Sequence, residues 1–232
     1  MRRRLAAILV ELALALAATS CAADGPRQGL VPLPLKSLCV TEGALISRPE
    51  SDSLTVEGNA MRAVATWASS PAAELQFLYR GPTPTAKTLG SGRVRHQVGL
   101  KLRAQDPCNV VYVMWRFDPP AGIFVQIKQN AGQSSSAECG NAGYRTISPT
   151  TAAPTPAVLL GTQHSVRAEM HAEALQVWAD GTVVWEGTVA GSLDMTGPIG
   201  LRSDNGLFDV TLFGAPPAEP VATSTCTRTE AE

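Results

Sequence analysis

The stretch HSVRAEMHAEALQVWADGTVVWEGTV (164–189), followed by GPIGLRSDNGLFDVTLFG (197–214), constrains the fold more than any other part of the chain. Val166, Ala168 and Met170 alternate with Arg167, Glu169 and His171, the period of two that a strand with one buried face requires. Leu175, Val177 and Ala179 repeat the pattern, Asp180-Gly181 interrupts it, and Val183, Trp185 and Gly187 resume it. Asp-Gly between two alternating runs predicts a hairpin, because a type I′ turn needs positive φ at both central residues. Asn205-Gly206 gives a second signal of the same type. The chain therefore reads as an antiparallel all-β domain.

Its 232 residues suit one β-sandwich, since such domains often run to about 200–250 residues. A net charge of −1 gives no global attraction to nucleic acid or to a membrane surface. Strands are predicted near 44–47, 54–56, 60–67, 74–79, 93–103, 109–117, 122–129, 163–171, 173–180, 182–189, 198–203 and 207–213. Segment 130–161 reads mostly as loop, with a short strand at 144–147, and a loop of that length in a compact β domain is often functional.

The N-terminus reads as an export signal over residues 1–21. Arg2, Arg3 and Arg4 precede an apolar run over 5–18 that is interrupted only by Glu11 and too short to cross a bilayer comfortably. It ends in Leu16-Ala17-Ala18-Thr19-Ser20-Cys21, which is similar to a lipoprotein cleavage box and makes Cys21 the candidate lipidation residue. Ordinary cleavage between Ala18 and Ala23 is the alternative. The expectation is an exported protein, periplasmic or on the cell surface, touching membrane only through such an anchor. Residues 22–36 read as a linker, 37–214 as the domain and 215–232 as an irregular tail.

With Cys21 set aside, Cys39, Cys108, Cys139 and Cys226 remain, an even number that in an exported chain reads as two disulfides. Three pairings are possible. Cys108–Cys139 with Cys39–Cys226 is favoured, one closing a loop and the other tying the domain ends. A metal site fails on spacing, with no close cysteine pair and with His96, His164 and His171 elsewhere.

The Asp-Gly hairpin, the phrase Gly197-Pro198-Ile199-Gly200-Leu201-Arg202-Ser203, the Phe208-Asp209-Val210 strand and Asn109-Val110-Val111-Tyr112 together resemble the concanavalin-A-like lectin/glucanase superfamily, laminin-G-like jelly rolls included. The resemblance implies a two-sheet antiparallel jelly roll. It leaves function open among lectins, glycoside hydrolases, polysaccharide lyases and adhesive modules.

Retaining glucanases of that superfamily carry a Glu-x-Asp-x-Glu run that sets two carboxylates about 5–5.5 Å apart. This chain has no such run. Its nearest pairs, Glu169 with Glu173 and Asp204 with Asp209, are separated by predicted turns. His96 and Gln97 are adjacent, so strand alternation sends them to opposite faces, against a lyase arrangement. No catalytic residue is assigned. His96 shares the apolar phase of Val98 and reads as a hydrogen-bonded core residue. Asp204, Asn205 and Asp209 offer oxygen ligands for Ca²⁺, but three fall short of the six to eight that the ion takes.

Binding has more to stand on. In 93–103, Arg95, Gln97, Lys101 and Arg103 oppose Val94, Val98, Leu100 and Leu102; in 109–117, Tyr112, Met114 and Arg116 oppose Val111, Val113 and Trp115; in 122–129, Phe124, Gln126 and Lys128 oppose Ile123, Val125 and Ile127. If these strands are neighbours, their outer face groups planar donors with aromatic rings, as a glycan site needs. Residues 80–130 hold eight Lys/Arg against two acids, and 131–232 hold four against eleven, so the basic middle favours an anionic polysaccharide. The bland alternative is a solvated sheet face neutralised by its neighbours. The expected function is non-catalytic carbohydrate binding at the cell envelope through Arg95, Gln97, Tyr112, Arg116, Gln126 and Lys128. The alternatives are a hydrolase or lyase of the same fold, or a structural envelope protein that binds another protein. Trp178, opposed in phase to Leu175 and Val177, is the tryptophan best placed to meet a ligand.

Overall fold

The computed structural model describes residues 29–48, 51–67 and 70–216. Among them, sixteen strands pair antiparallel into two facing sheets. In spatial order the first sheet runs β11 (Thr151–Ala152), β14 (Thr182–Thr188), β13 (Ala174–Ala179), β12 (Gln163–His171), β6 (Ala72–Pro82), β16 (Gly206–Gly214), β4 (Leu54–Val56) and β3 (Leu45–Ser47), with β1 (Val31–Pro32) also on β16. The second runs β10 (Tyr144–Ile147), β9 (Gly122–Lys128), β8 (Asn109–Arg116), β7 (Gln97–Asp106), β15 (Gly200–Asp204), β5 (Ala60–Ala65) and β2 (Leu38–Glu42). The architecture is a two-sheet antiparallel β-sandwich, all-β as the alternating sequence pattern predicts and of the two-sheet form that the resemblance implies.

The core lies between the sheets and is built from the apolar phase of each strand. Val98, Leu100 and Leu102 of β7, Val111, Val113 and Trp115 of β8, and Val125 and Ile127 of β9 meet Leu75 and Phe77 of β6, Val166 and Ala168 of β12, and Phe208 and Val210 of β16. Each large side chain fully removed from water stabilises the fold by about 1.5–3 kcal/mol. Phe77 packs edge-on against both Trp115, at 5.6 Å between ring centroids, and Phe208, at 6.1 Å.

The Asp180-Gly181 turn forms as predicted, with φ of 48° and 78°. Asp180 also locks the start of β12, accepting from the Ser165 N–H at 2.8 Å and sharing a 2.8 Å hydrogen bond with His164 Nδ1. Past the turn the expected phase slips. A register shift at Val177/Trp178 pairs Val177 with Trp185 and Trp178 with Val183, so Val184 joins Trp185 in the core.

Asn205-Gly206 is not a hairpin turn. β15 lies in the second sheet and β16 in the first, and Asn205 alone, at φ 56°, carries the chain between them. The local dipeptide signal is the same in both cases, and only long-range pairing separates a hairpin from a crossover. The sandwich also begins before residue 37, because β1 pairs with β16 and Leu33 is buried. β7 begins at Gln97, four residues later than the predicted strand, leaving Val94 exposed.

Cys108 and Cys139 form a disulfide, with Cα atoms 5.8 Å apart, that fastens the β7–β8 turn to a short helix at Ser136–Cys139. Cys39 is also disulfide-bonded. Cys226, Cys21, the export signal and the tail from 217 onward lie outside the described residues.

Candidate functional site

Register brings most of the expected site onto one surface, the outer face of the second sheet. Gln97 pairs with Arg116, Gly99 with Met114 and Lys101 with Tyr112 across β7 and β8. Met114 then pairs with Phe124, and Tyr112 with Gln126, across β8 and β9. Lys128 pairs with Tyr144, and Gln126 with Thr146, across β9 and β10. On the other flank Arg202 of β15 pairs with Gly99 and with Arg62 of β5. Side chains directly opposite on one face have Cβ atoms about 4.5–5.5 Å apart, so these groups form a continuous patch.

Its centre of interest is the Gln97–Arg116 pair, 5% and 9% exposed. The Arg116 guanidinium lies 3.6 Å from the Phe124 ring centroid, a cation–π contact. The Gln97 amide donates to Asp204 Oδ2 at 2.6 Å. Among the described residues, Arg116 Nε and Gln97 Oε1 are buried with no hydrogen-bond partner. A buried unsatisfied polar group costs about 1–3 kcal/mol, and here a donor and an acceptor sit on cross-strand neighbours. Those are the two complements of a hydroxyl group, which both donates and accepts.

The charge around that pair is one-sided. Burial first, and then the nearby charges of Arg95 and Arg93, push the Arg116 pKa down, against an opposing pull from Asp118. Asp118 is itself engaged by His96, accepting from its backbone N–H at 2.5 Å and sharing a 2.6 Å hydrogen bond with its Nδ1. The charges of Arg93 and Arg95 thus act on Arg116, with the Asp118 carboxylate opposing them, an arrangement that favours an anion.

Arg95 reaches this cluster from the loop that precedes β7, not from a strand face. The buried Asn205 side chain holds the loop, accepting from the Lys87 N–H at 2.6 Å and donating to the Lys87 carbonyl at 2.9 Å and the Arg95 carbonyl at 3.0 Å. The residue that switches sheets therefore also positions Arg95. Arg103 leaves the expected face altogether. At φ 47°, in the irregular stretch between Leu102 and Asp106, it sends its guanidinium to the carbonyls of Ser192 and Ala172.

Of the six residues expected to bind ligand, Arg95 and Gln126 are partly exposed, while Gln97 and Arg116 are buried with an unused polar atom each. Tyr112 and Lys128 are both 1% exposed. Tyr112 belongs to a small cluster with Ala104, Val110 and Met114, and its ring stacks on Tyr144 at 6.1 Å. Both residues pack the face rather than offer a surface. Phe124 and Arg93 enter the site in their place. Phe124 is an outward residue of its predicted strand, and Arg93 shares the odd-numbered phase of Arg95 and Gln97, although the structure leaves both arginines ahead of β7.

The candidate Ca²⁺ ligands are spoken for. Asp204 is wholly buried and takes Arg62 at 2.7 Å, Arg202 at 3.1 Å and Gln97. Burial acts to raise its pKa, but the Arg202 and Arg62 charges and the hydrogen bonds outweigh it and hold the carboxyl below the usual range. Asp209 lies on the first sheet, bonded to Thr55 at 3.0 Å and ion-paired with Arg48 at 3.1 Å. Asp204 and Asp209 therefore sit on different sheets and do not form a catalytic pair. Among the described residues no three His, Cys, Asp or Glu side chains are grouped to hold a metal.

No protein-family model matches the chain, and no curated protein matches it in sequence. Among solved structures it is similar to the carbohydrate-binding module CBM66 from Bacillus subtilis, at 10% identity and TM-score 0.50, over 77% of this chain and 92% of that one. It is also similar to the metal-free Emp46p carbohydrate recognition domain, at 10% identity and TM-score 0.49 over 77% and 88% of the two chains. Domain 4 of AbnA, an extracellular arabinanase from Geobacillus stearothermophilus, shares 10% identity at TM-score 0.43 over 83% and 88%. The first likeness agrees with the two-sheet antiparallel β-sandwich, and at that identity it speaks for the fold alone.

Proposed function

We propose that this domain is a non-catalytic carbohydrate-binding module whose site is the β7–β9 end of the second sheet's outer face. The buried, unpaired Arg116 Nε and Gln97 Oε1 carry this reading, because they supply the donor and the acceptor that one saccharide hydroxyl needs. Phe124 gives an apolar ring for a sugar C–H face, and Gln126 and Arg95 line the rim. Binding requires the Arg116 side chain to swing off Phe124, which opens Nε and bares the ring together. The convergence of Arg93, Arg95 and Arg116 favours anionic polysaccharide over neutral chains. The solved structures of similar fold include carbohydrate-binding domains, which agrees with sugar as the ligand class. The Cys108–Cys139 disulfide suits an oxidising compartment, so we place the site of action outside the cytoplasm at the cell envelope.

Affinity electrophoresis of the oxidised protein through gels containing polygalacturonate, alginate, xylan or laminarin tests the reading. Retardation by a uronate polymer, relieved by salt, is the expected result; free migration in all four gels overturns it.

A further inference from the structure

The opposite sheet carries a second constellation that the site above does not use. A cavity of about 500 Å³ opens on the outer face of β12, β13 and β14, lined by Glu169, His171, Gln176, Trp178, Glu186 and Thr188 among others. Register makes it orderly. Glu169 pairs with Gln176 and Gln176 with Glu186, so a carboxylate, a carboxamide and a second carboxylate stand in one cross-strand row. Strands lie about 4.8 Å apart, so the row spans about 10 Å. One row along, His171, Ala174 and Thr188 align, and the small Ala174 between two longer side chains leaves the depression. On the other side of the row stands Trp178.

The groups are held in place before any ligand arrives. Gln176 donates to Glu186 Oε1 at 2.6 Å, which fixes the carboxamide in the row and leaves its carbonyl oxygen as an acceptor. Glu169 takes Arg167 at 2.9 Å and His171 at 2.6 Å. Arg167 also lies 5.1 Å from the Trp178 ring centroid, so one guanidinium orients both the carboxylate and the indole. Fixed side chains lose little entropy on binding, which is the usual expense of a polar surface site.

Charge settles the ligand class. The His171 hydrogen bond, with help from Arg167, holds the Glu169 carboxyl below its usual range, so it is an ionised acceptor. Arg167 balances that charge, while the Glu186 carboxylate keeps its own under a hydrogen bond from Gln176, so the cavity is mildly acidic and disfavours anionic chains. It offers acceptors, hydroxyls and one large ring, which complements an uncharged polyhydroxylated chain. We infer that this face is a second ligand site, for a neutral oligosaccharide stacked on Trp178 and hydrogen-bonded along the Glu169–Gln176–Glu186 row. It stands independently of the cationic site on the other sheet, and the two together allow one domain to hold a neutral and an anionic chain at once.

The test is calorimetric titration of the full chain with cellohexaose, xylohexaose, laminarihexaose and mannohexaose. At least one is expected to bind, with affinity changed less than about twofold by raising salt to about 0.5 M. Trp178→Ala is expected to weaken it about tenfold or more. Gln176→Ala, a partly exposed site, gives the same readout should the tryptophan variant not fold. No binding of any of the four, or full binding by both Trp178→Ala and Gln176→Ala, overturns the inference. Failure of the uronate polymers in the gel experiment would leave this result standing.

Discussion

Gln97 and Arg116 face each other across the β7–β8 pair, and each keeps one buried polar atom without a partner among the described residues. A purely structural pair would be expected to satisfy both atoms, since burying an unpaired amide oxygen or guanidinium N–H works against folding. Arg116 lies against the Phe124 ring and feels the charges of Arg93 and Arg95, so the unsatisfied pair sits where the proposed ligand would complete it.

Asn205 tests that link without touching the sheet face. Its side chain holds the Lys87 and Arg95 main chain from inside the crossover. Asn205→Ala is expected to cost about 2 kcal/mol in urea unfolding, because buried main-chain groups lose their partners. It is also expected to weaken uronate binding more than neutral-oligosaccharide binding, as Arg95 moves out of place. Equal affinity for uronate in variant and parent would show that Arg95 plays no part.

Tyr112 should behave as packing. At 1% exposure within its own cluster, Tyr112→Ala is expected to lower stability by about 3 kcal/mol, comparable to other large aromatic truncations. Tyr112→Phe, which keeps the packed ring, should keep binding. Loss of binding in the phenylalanine variant would return the tyrosine hydroxyl to the site.

Asp204 sets an acid limit. Its folded pKa is held below that of an unfolded aspartate, near 3.9, by Arg202, Arg62 and Gln97 acting against burial. The stabilisation is therefore complete above about pH 4 and is lost as the pH falls towards the folded value. Asp204→Asn is expected to destabilise by about 3 kcal/mol at pH 7 and to flatten the fall in melting temperature below pH 4. A variant that melts in parallel with the parent through that range would show that another group carries the acid dependence.

The alternating phases of 109–117 and 122–129 made the fold and most of the outer face legible, because a period of two needs no knowledge of partners. Four features were not legible, each for a long-range reason. The sheet switch at Asn205 shares its local signal with a hairpin. Arg103 leaves the face at an irregular, positive-φ position that its own sequence does not announce. The Glu169–Gln176–Glu186 row exists only through register, since the three residues sit on different strands. Burial of Tyr112 and Lys128 on an outward face was equally hidden, because phase assigns a residue to a face but does not say what covers it.

Arg116→Met, followed for stability and for binding in the same preparation, tests the central claim most directly. Methionine fills similar space without a buried donor, so the thermal or urea stability should stay within about 1 kcal/mol of the parent or rise, despite the lost contact with Phe124. Salt-sensitive retention by uronate polymers should disappear. A clear loss of stability with uronate binding intact would make Arg116 a structural residue and contradict the account.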